Sequence, residues 1–241
     1  MMIRRIAKNL FSTDWNLAIN EILLVTVGIL LALTIEDWWQ GQERQDEEAA
    51  LLARLADDIA VSLTTYDEAI AFNRGQREKA LLAATSIERG SVAPGEEEAF
   101  EQSLIFAAWR GNAFVSATYT ELISGGKIAL IRDDTLRHDL ASLGFHMKRV
   151  DLGIGRVGDG ILGLLQQRNQ HINLTWANDT LALKNAATDY LGNQPLQNIY
   201  YQLAYLYQSM NQYQALGRKE TAALQNRLKE MGYTADAGAE Q

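Results

Sequence analysis

The chain has no cysteine. Disulfide staples, thiolate metal sites and cysteine nucleophiles are therefore excluded. Only two prolines occur among 241 residues, Pro94 and Pro195, so nothing of that kind breaks a helix before residue 94. Histidine is scarce as well. His138 and His146 lie eight positions apart, whereas helical zinc pairs sit four apart, so solvated surface histidines are expected. Basic residues are outnumbered 22 to 30, giving a formal charge of -8. That balance lacks the basic footprint of a nucleic-acid binder, and no nucleic acid is expected as a partner. No Ser–His–acid or paired-carboxylate spacing stands out. No enzyme activity and no cofactor are expected.

Charge is absent altogether from Ile22 to Ile35. The apolar run from Leu17 to Ile35 has about the ~20 residues that a spanning helix needs. Trp15 precedes it, and Trp38 and Trp39 follow. From Trp15 to Trp38 is roughly 34 Å at the helical rise of ~1.5 Å, which suits interfacial anchors at both ends. Arg4, Arg5 and Lys8 come before the run; Glu36, Asp37, Glu43, Asp46, Glu47 and Glu48 come after it. The positive-inside rule then places the N-terminus in the cytoplasm and the rest outside. Cleavage as a signal peptide would require small residues after the run, where Glu36, Asp37 and two tryptophans stand. The expectation is an uncleaved anchor in a bacterial inner membrane: a basic N-terminus over 1–16, a membrane helix over 17–39, a periplasmic bundle over 40–232 and a flexible tail over 233–241.

Inside that helix Glu21 is the exception. At 100° per residue it shares a face with Val25, Gly28 and Ala32, and Gly28 to Ala32 is a small-xxx-small spacing that permits close helix approach. Ionisable groups at such positions face protein or water. Three readings stay open: Glu21 bonds a partner helix, it lines an ion path, or it sits at headgroup depth against water and lipid.

Past Trp39 the pattern stays helical. Leu52, Leu55, Ile59, Leu63, Tyr66 and Ile70 recur at spacings of three and four. Gly75 is a candidate bend, and Gly90 to Glu96 is the first loop. A shorter helix is expected from Glu97 to Arg110, then one from Thr118 closed by Gly125 and Gly126. Asp133 is placed to cap a helix whose seam runs Leu136, Leu140, Leu143, Met147, Val150, Ile154, Val157, Ile161 and Leu164. Five glycines, at 153, 155, 158, 160 and 163, lie along it. Each costs a helix about 1 kcal/mol against alanine. Gly153 and Gly160 are the expected close-packing positions, where a neighbouring helix offsets that cost. Gly153 to Gly158 also spells GxGxxG, but with no preceding strand the match is expected to be accidental. Asn193 and Pro195 open a last helix with a seam at Ile199, Leu203, Leu206, Met210 and Tyr213. The seam resumes at Leu224, Leu228 and Met231, with Gly217 and Glu220 filling the gap. The fold class expected is all-α, a membrane helix continuing into an antiparallel bundle of about four helices, three of them long.

Two stretches resemble an uncharacterised bacterial family of small single-pass inner-membrane proteins common in Bacteroidota. The first is Asn20 to Trp38. Members typically show Gly-Glu-Ile, then Gly-Ile-(Leu/Ile)-(Leu/Ile)-Ala-Leu and a downstream Asn-Trp. Here Asn20 replaces the glycine and Asp37 the asparagine. The second is Tyr119 to Arg137, where members show a Leu-(Ile/Leu)-Ser-Ser-Gly-Lys turn before a capped helix with Leu-Arg. Here Gly125 replaces the second serine. The resemblance implies the same topology and carries no activity. Taken together, these features point to a membrane-anchored interaction or scaffold protein, with the bilayer and either itself or another inner-membrane protein as partners. The alternatives are a periplasmic sensor or ligand-binding bundle acting through a partner, and an oligomeric channel using Glu21.

Overall fold

A computed structural model describes residues 15–106, 108–111, 114, 116–177 and 179–235, with the backbone alone at 15–18. The basic N-terminal residues Arg4, Arg5 and Lys8, the Trp15 side chain and the tail beyond 235 lie outside the described residues. Among the described residues the fold is all-α apart from one small hairpin. Five α-helices follow there in order: α1 Trp15–Arg89, α2 Glu97–Ile105, α3 Ala117–Ser124, α4 Asp134–Arg168 and α5 Gln194–Glu230. Short 3-10 helices occupy Lys127–Leu130 and Ala187–Tyr190. Strands β1 Leu174–Ala177 and β2 Thr180–Leu183 pair antiparallel, with Asp179 at φ 57° in their turn. The chain divides into two compact units, residues up to Leu51 and residues from Leu52.

In the first unit α1 is unbroken, and its side chains from Ile19 to Trp39 are exposed on every face. The helix is long and apolar enough to cross a membrane.

The second unit is built on the later part of α1 with α4 and α5. Helix α1 passes through Gly75 without a break, where the sequence offered a bend. It buries Leu52, Leu55, Ile59 and Tyr66 early, then Ala69, Ala80, Ala83, Ala84 and Ile87. Gly90 and Gly95 both take positive φ in the loop that ends it, a conformation open to glycine without strain. All nine residues of the α4 seam are buried, and the Asp133 carboxylate accepts from Leu136 N at 2.8 Å as N-cap. Asn193 caps α5 in the same way, from Leu196 N at 3.1 Å. Cross-helix pairs fix the directions. Asp133 at the start of α4 meets Arg227 near the end of α5, so those helices are antiparallel. Asp67–Arg218 and Glu88–Tyr201 show that α1 also runs antiparallel to α5.

Helix α2 is shorter than its sequence pattern. It stops at Ile105, and Phe106 turns extended at ψ 145°, rather than continuing to Arg110. The Phe106 ring leaves the helix to pack against Tyr207 and Tyr200, with centroids 5.9 and 6.3 Å away. Tertiary packing overrides local propensity here.

Candidate functional site

Three places carry the polar and close-packing features of the molecule. The first is the α1 face bearing Glu21, Val25, Gly28 and Ala32. A helix without interruption holds these four within one stripe. A shallow groove of about 280 Å³ opens between Glu21, Ile22, Val25 and Thr26. A methyl group built on Gly28 would meet nothing within 4 Å. The segment's hydroxyls are satisfied within it: Thr26 donates to Ile22 O at 2.7 Å and Thr34 to Leu30 O at 2.8 Å. Nothing in hydrocarbon would otherwise accept them. Trp38 and Trp39 follow edge to face, 6.1 Å apart, both exposed.

The second place is the contact of α4 with α5. At Gly153 a methyl group would stand 2.3 Å from Cε1 of Tyr213, and at Gly160 it would stand 3.0 Å from Cδ1 of Leu206. At Gly155 and Gly163 it would meet nothing within 4 Å. The GxGxxG run thus lies inside α4, with two of its glycines turned to neighbours (Tyr213 and Trp109) and one to open space. The gap in the α5 seam also has its partners. Gly217 makes room for the Tyr66 hydroxyl, which would stand 2.6 Å from any methyl there. Glu220 reaches His146 Nδ1 at 3.1 Å, beside a recess of about 270 Å³ that also includes Asp139 and Ser142. His138 Nε2 lies 3.5 Å from Ser142 Oγ. Among the described residues, no group of three or more His, Asp or Glu side chains is placed to hold a metal.

The third place is a buried polar ladder that sequence reasoning missed. From the last turn of α2 onward, the carbonyls of Leu104, Phe106, Ala108 and Arg110 each meet a side-chain donor. Tyr200 Oη donates to Leu104 O at 2.6 Å, and Arg168 Nη1 to Phe106 O. Tyr207 Oη donates to Ala108 O at 2.9 Å. Arg110 O receives both Gln214 Nε2 at 2.6 Å and Asn73 Nδ2 at 2.7 Å. Asn73 Oδ1 accepts from Arg110 N at 3.0 Å, so its carboxamide pairs with this residue as a neighbouring strand would. Tyr200, Tyr207 and Gln214 are spaced by sevens on α5. One face of α5 thus supplies three of the donors.

Burial sets the electrostatics of this ladder. Desolvation pushes the Tyr200 and Tyr207 phenols above their ordinary range, so both stay protonated and donate. Burial also pulls Arg168 below its usual value. The guanidinium is 1% exposed and has no carboxylate partner among the described residues. It bonds instead to Phe106 O and, through Nε and Nη2, to the Asn169 carboxamide at 3.2 and 3.0 Å. Farther along, Asp58 holds α3 in place, accepting from Ser116 Oγ at 2.7 Å and Thr118 N at 3.0 Å. Desolvation alone would raise its carboxyl. Those hydrogen bonds and nearby Arg54 outweigh it and leave the pKa lowered.

No protein-family model matches the chain, and neither the curated proteins nor the solved structures contain a match.

Proposed function

We propose that the protein is a membrane-anchored helical interaction scaffold of the bacterial inner membrane. In this reading its N-terminus is cytoplasmic and its bundle periplasmic. It self-associates, or joins a larger inner-membrane complex as an accessory subunit, through the Glu21–Val25–Gly28–Ala32 face. It has no catalytic role.

One observation carries the reading. Thirteen large apolar side chains from Ile19 to Trp39 are exposed. At ~1.5–3 kcal/mol for each such side chain removed from water, leaving them wet costs on the order of 20–40 kcal/mol. A bilayer supplies the missing environment. Van der Waals packing of small residues is what associates helices there, and Gly28 and Ala32 leave room for it. The charge asymmetry across the segment supports the orientation.

The test is gentle extraction from native membranes, followed by particle mass and identification of its components. A particle of this chain alone in a fixed multiple supports self-association. Co-extraction with a larger assembly supports the accessory role. Recovery of the full-length chain in the soluble fraction as a monomer overturns the proposal.

A further inference from the structure

The second unit carries two unpaired charged strips of opposite sign. On the outer face of α4, Phe145 and Leu152 are 71% and 64% exposed. At 100° per residue they share their face with Arg149 and Arg156, and Lys148 borders it. None of these three cations has an ion-pair partner among the described residues, whereas Arg54, Arg110, Arg218 and Arg227 all pair. Asp151 lies at the margin of the face and Asp159 beyond its C-terminal end. The other strip is Glu96, Glu97, Glu98 and Glu101, all exposed at the start of α2. No cation of the same chain pairs with any of them among the described residues. Glu98 accepts only from the Gln102 carboxamide, at 3.0 Å.

We infer that the basic, apolar face of α4 docks the acidic start of α2 of a second copy of this chain. The two strips are complementary in charge and do not meet within one protomer. A contact between different patches is heterologous, so it repeats from copy to copy and forms a ring or an open row. Phe145 and Leu152 supply the apolar centre, and Lys148, Arg149 and Arg156 its charged rim. The α4 strip covers only about 16 Å of helix, far short of the ~1,000 Å² of a stable interface, so the contact is weak. Copies anchored in one bilayer raise their mutual concentration enough to use it. In that respect alone the inference rests on the membrane reading above.

The experiment is energy transfer between donor- and acceptor-labelled copies of the full chain reconstituted in liposomes at ~50 and ~500 mM NaCl, a range over which exposed charges are increasingly screened. The high-salt condition is expected to weaken self-association about tenfold. Arg149→Glu with Arg156→Glu weakens it similarly at low salt, as does Glu97→Lys with Glu98→Lys. Combining all four substitutions restores it to within about threefold of wild type. All four positions are exposed, and far-UV circular dichroism checks that each variant keeps its helices. A combination weaker than either pair overturns the inference, as does a wild-type association indifferent to salt and to both pairs. Gly28→Leu separates this contact from the membrane face. If that face associates nothing, Gly28→Leu changes nothing while the charge rescue still reads out. If only Gly28→Leu weakens association, the α4–α2 contact is refuted and the membrane face stands.

Discussion

Adding one methyl group to Gly153 and, separately, to Gly155 sets two effects of opposite sign on the same helix. Both lie inside α4, where glycine costs about 0.5–1 kcal/mol against alanine. At Gly155 a methyl meets nothing within 4 Å, so Gly155→Ala keeps the whole of that gain. At Gly153 three ring carbons of Tyr213 would stand 2.3 to 2.6 Å away. Carbon contacts settle near ~3.5–4.0 Å, so the ring must retreat by more than about 1 Å. Overpacking of this kind costs about 1–3 kcal/mol, which exceeds the propensity gain. Gly160→Ala lies between, because a Leu206 methyl at 3.0 Å can give way. In a domain of this size 1 kcal/mol moves the midpoint by about 2–4 °C. Thermal unfolding of the full chain in detergent, followed at 222 nm, should rank Gly155→Ala above wild type and Gly153→Ala several degrees below it. A Gly153→Ala variant as stable as Gly155→Ala would refute the close approach of α4 and α5.

The ladder and the α3 cap are open to similar tests. Asn73→Ala and Gln214→Ala each free the Arg110 backbone from one buried partner and are expected to cost about 1–3 kcal/mol. Because they share Arg110 O and bond each other at 3.1 Å, a double-mutant cycle by urea unfolding should show coupling above ~0.5 kcal/mol; additive effects would contradict the shared bond. Asp58 makes a pH prediction. Its carboxyl is depressed in the folded protein, so it contributes stability above its unfolded pKa of ~3.9, and that contribution is lost as pH falls through the lower folded value. The midpoint difference between wild type and Asp58→Asn should therefore be full at neutral pH and shrink below about pH 4. A difference that stays constant down to acid would rule out the charged cap.

Much of the fold is legible in the sequence because the long helices follow rules of local pattern. The α4 seam names its buried residues position by position, and Asp133 and Asn193 cap as their residue types and places suggest. The membrane candidate is legible for the same reason, being a matter of length and hydropathy. The α2 terminus is not. The sequence through Arg110 suits a helix locally, yet Phe106 is already extended, and donors from Arg168, Tyr207, Gln214 and Asn73 meet the carbonyls of Phe106, Ala108 and Arg110. The signal was present in α5, where Tyr200, Tyr207, Gln214 and Thr221 repeat by sevens and all are buried. A polar residue that keeps heptad register is a buried donor in search of an acceptor. The hairpin left a trace as well. Leu174 to Ala177 and Thr180 to Leu183 flank an Asn-Asp pair, a common turn signal between two short strands. The Glu21 face differs in kind. Its geometry follows from helix periodicity, and its residues are exposed.

Arg168 shows what the ladder demands energetically. A charge taken from water costs several kcal/mol, and here no carboxylate among the described residues returns it. Its stabilisation comes from the planar fork, which reaches Phe106 O on one side and Asn169 Oδ1 twice on the other. Lysine has the same charge but cannot span both acceptors from a single nitrogen. Methionine removes the charge and fills much of the space, leaving one carbonyl without its donor at about 1–3 kcal/mol. The expected order therefore runs against intuition about conservative change: wild type most stable, Arg168→Met lower, Arg168→Lys lowest. Urea unfolding of the three full-length chains measures that order. If Arg168→Lys matches wild type, the site holds a point charge rather than a fork, and the ladder's register is set by the tyrosines and Gln214 alone.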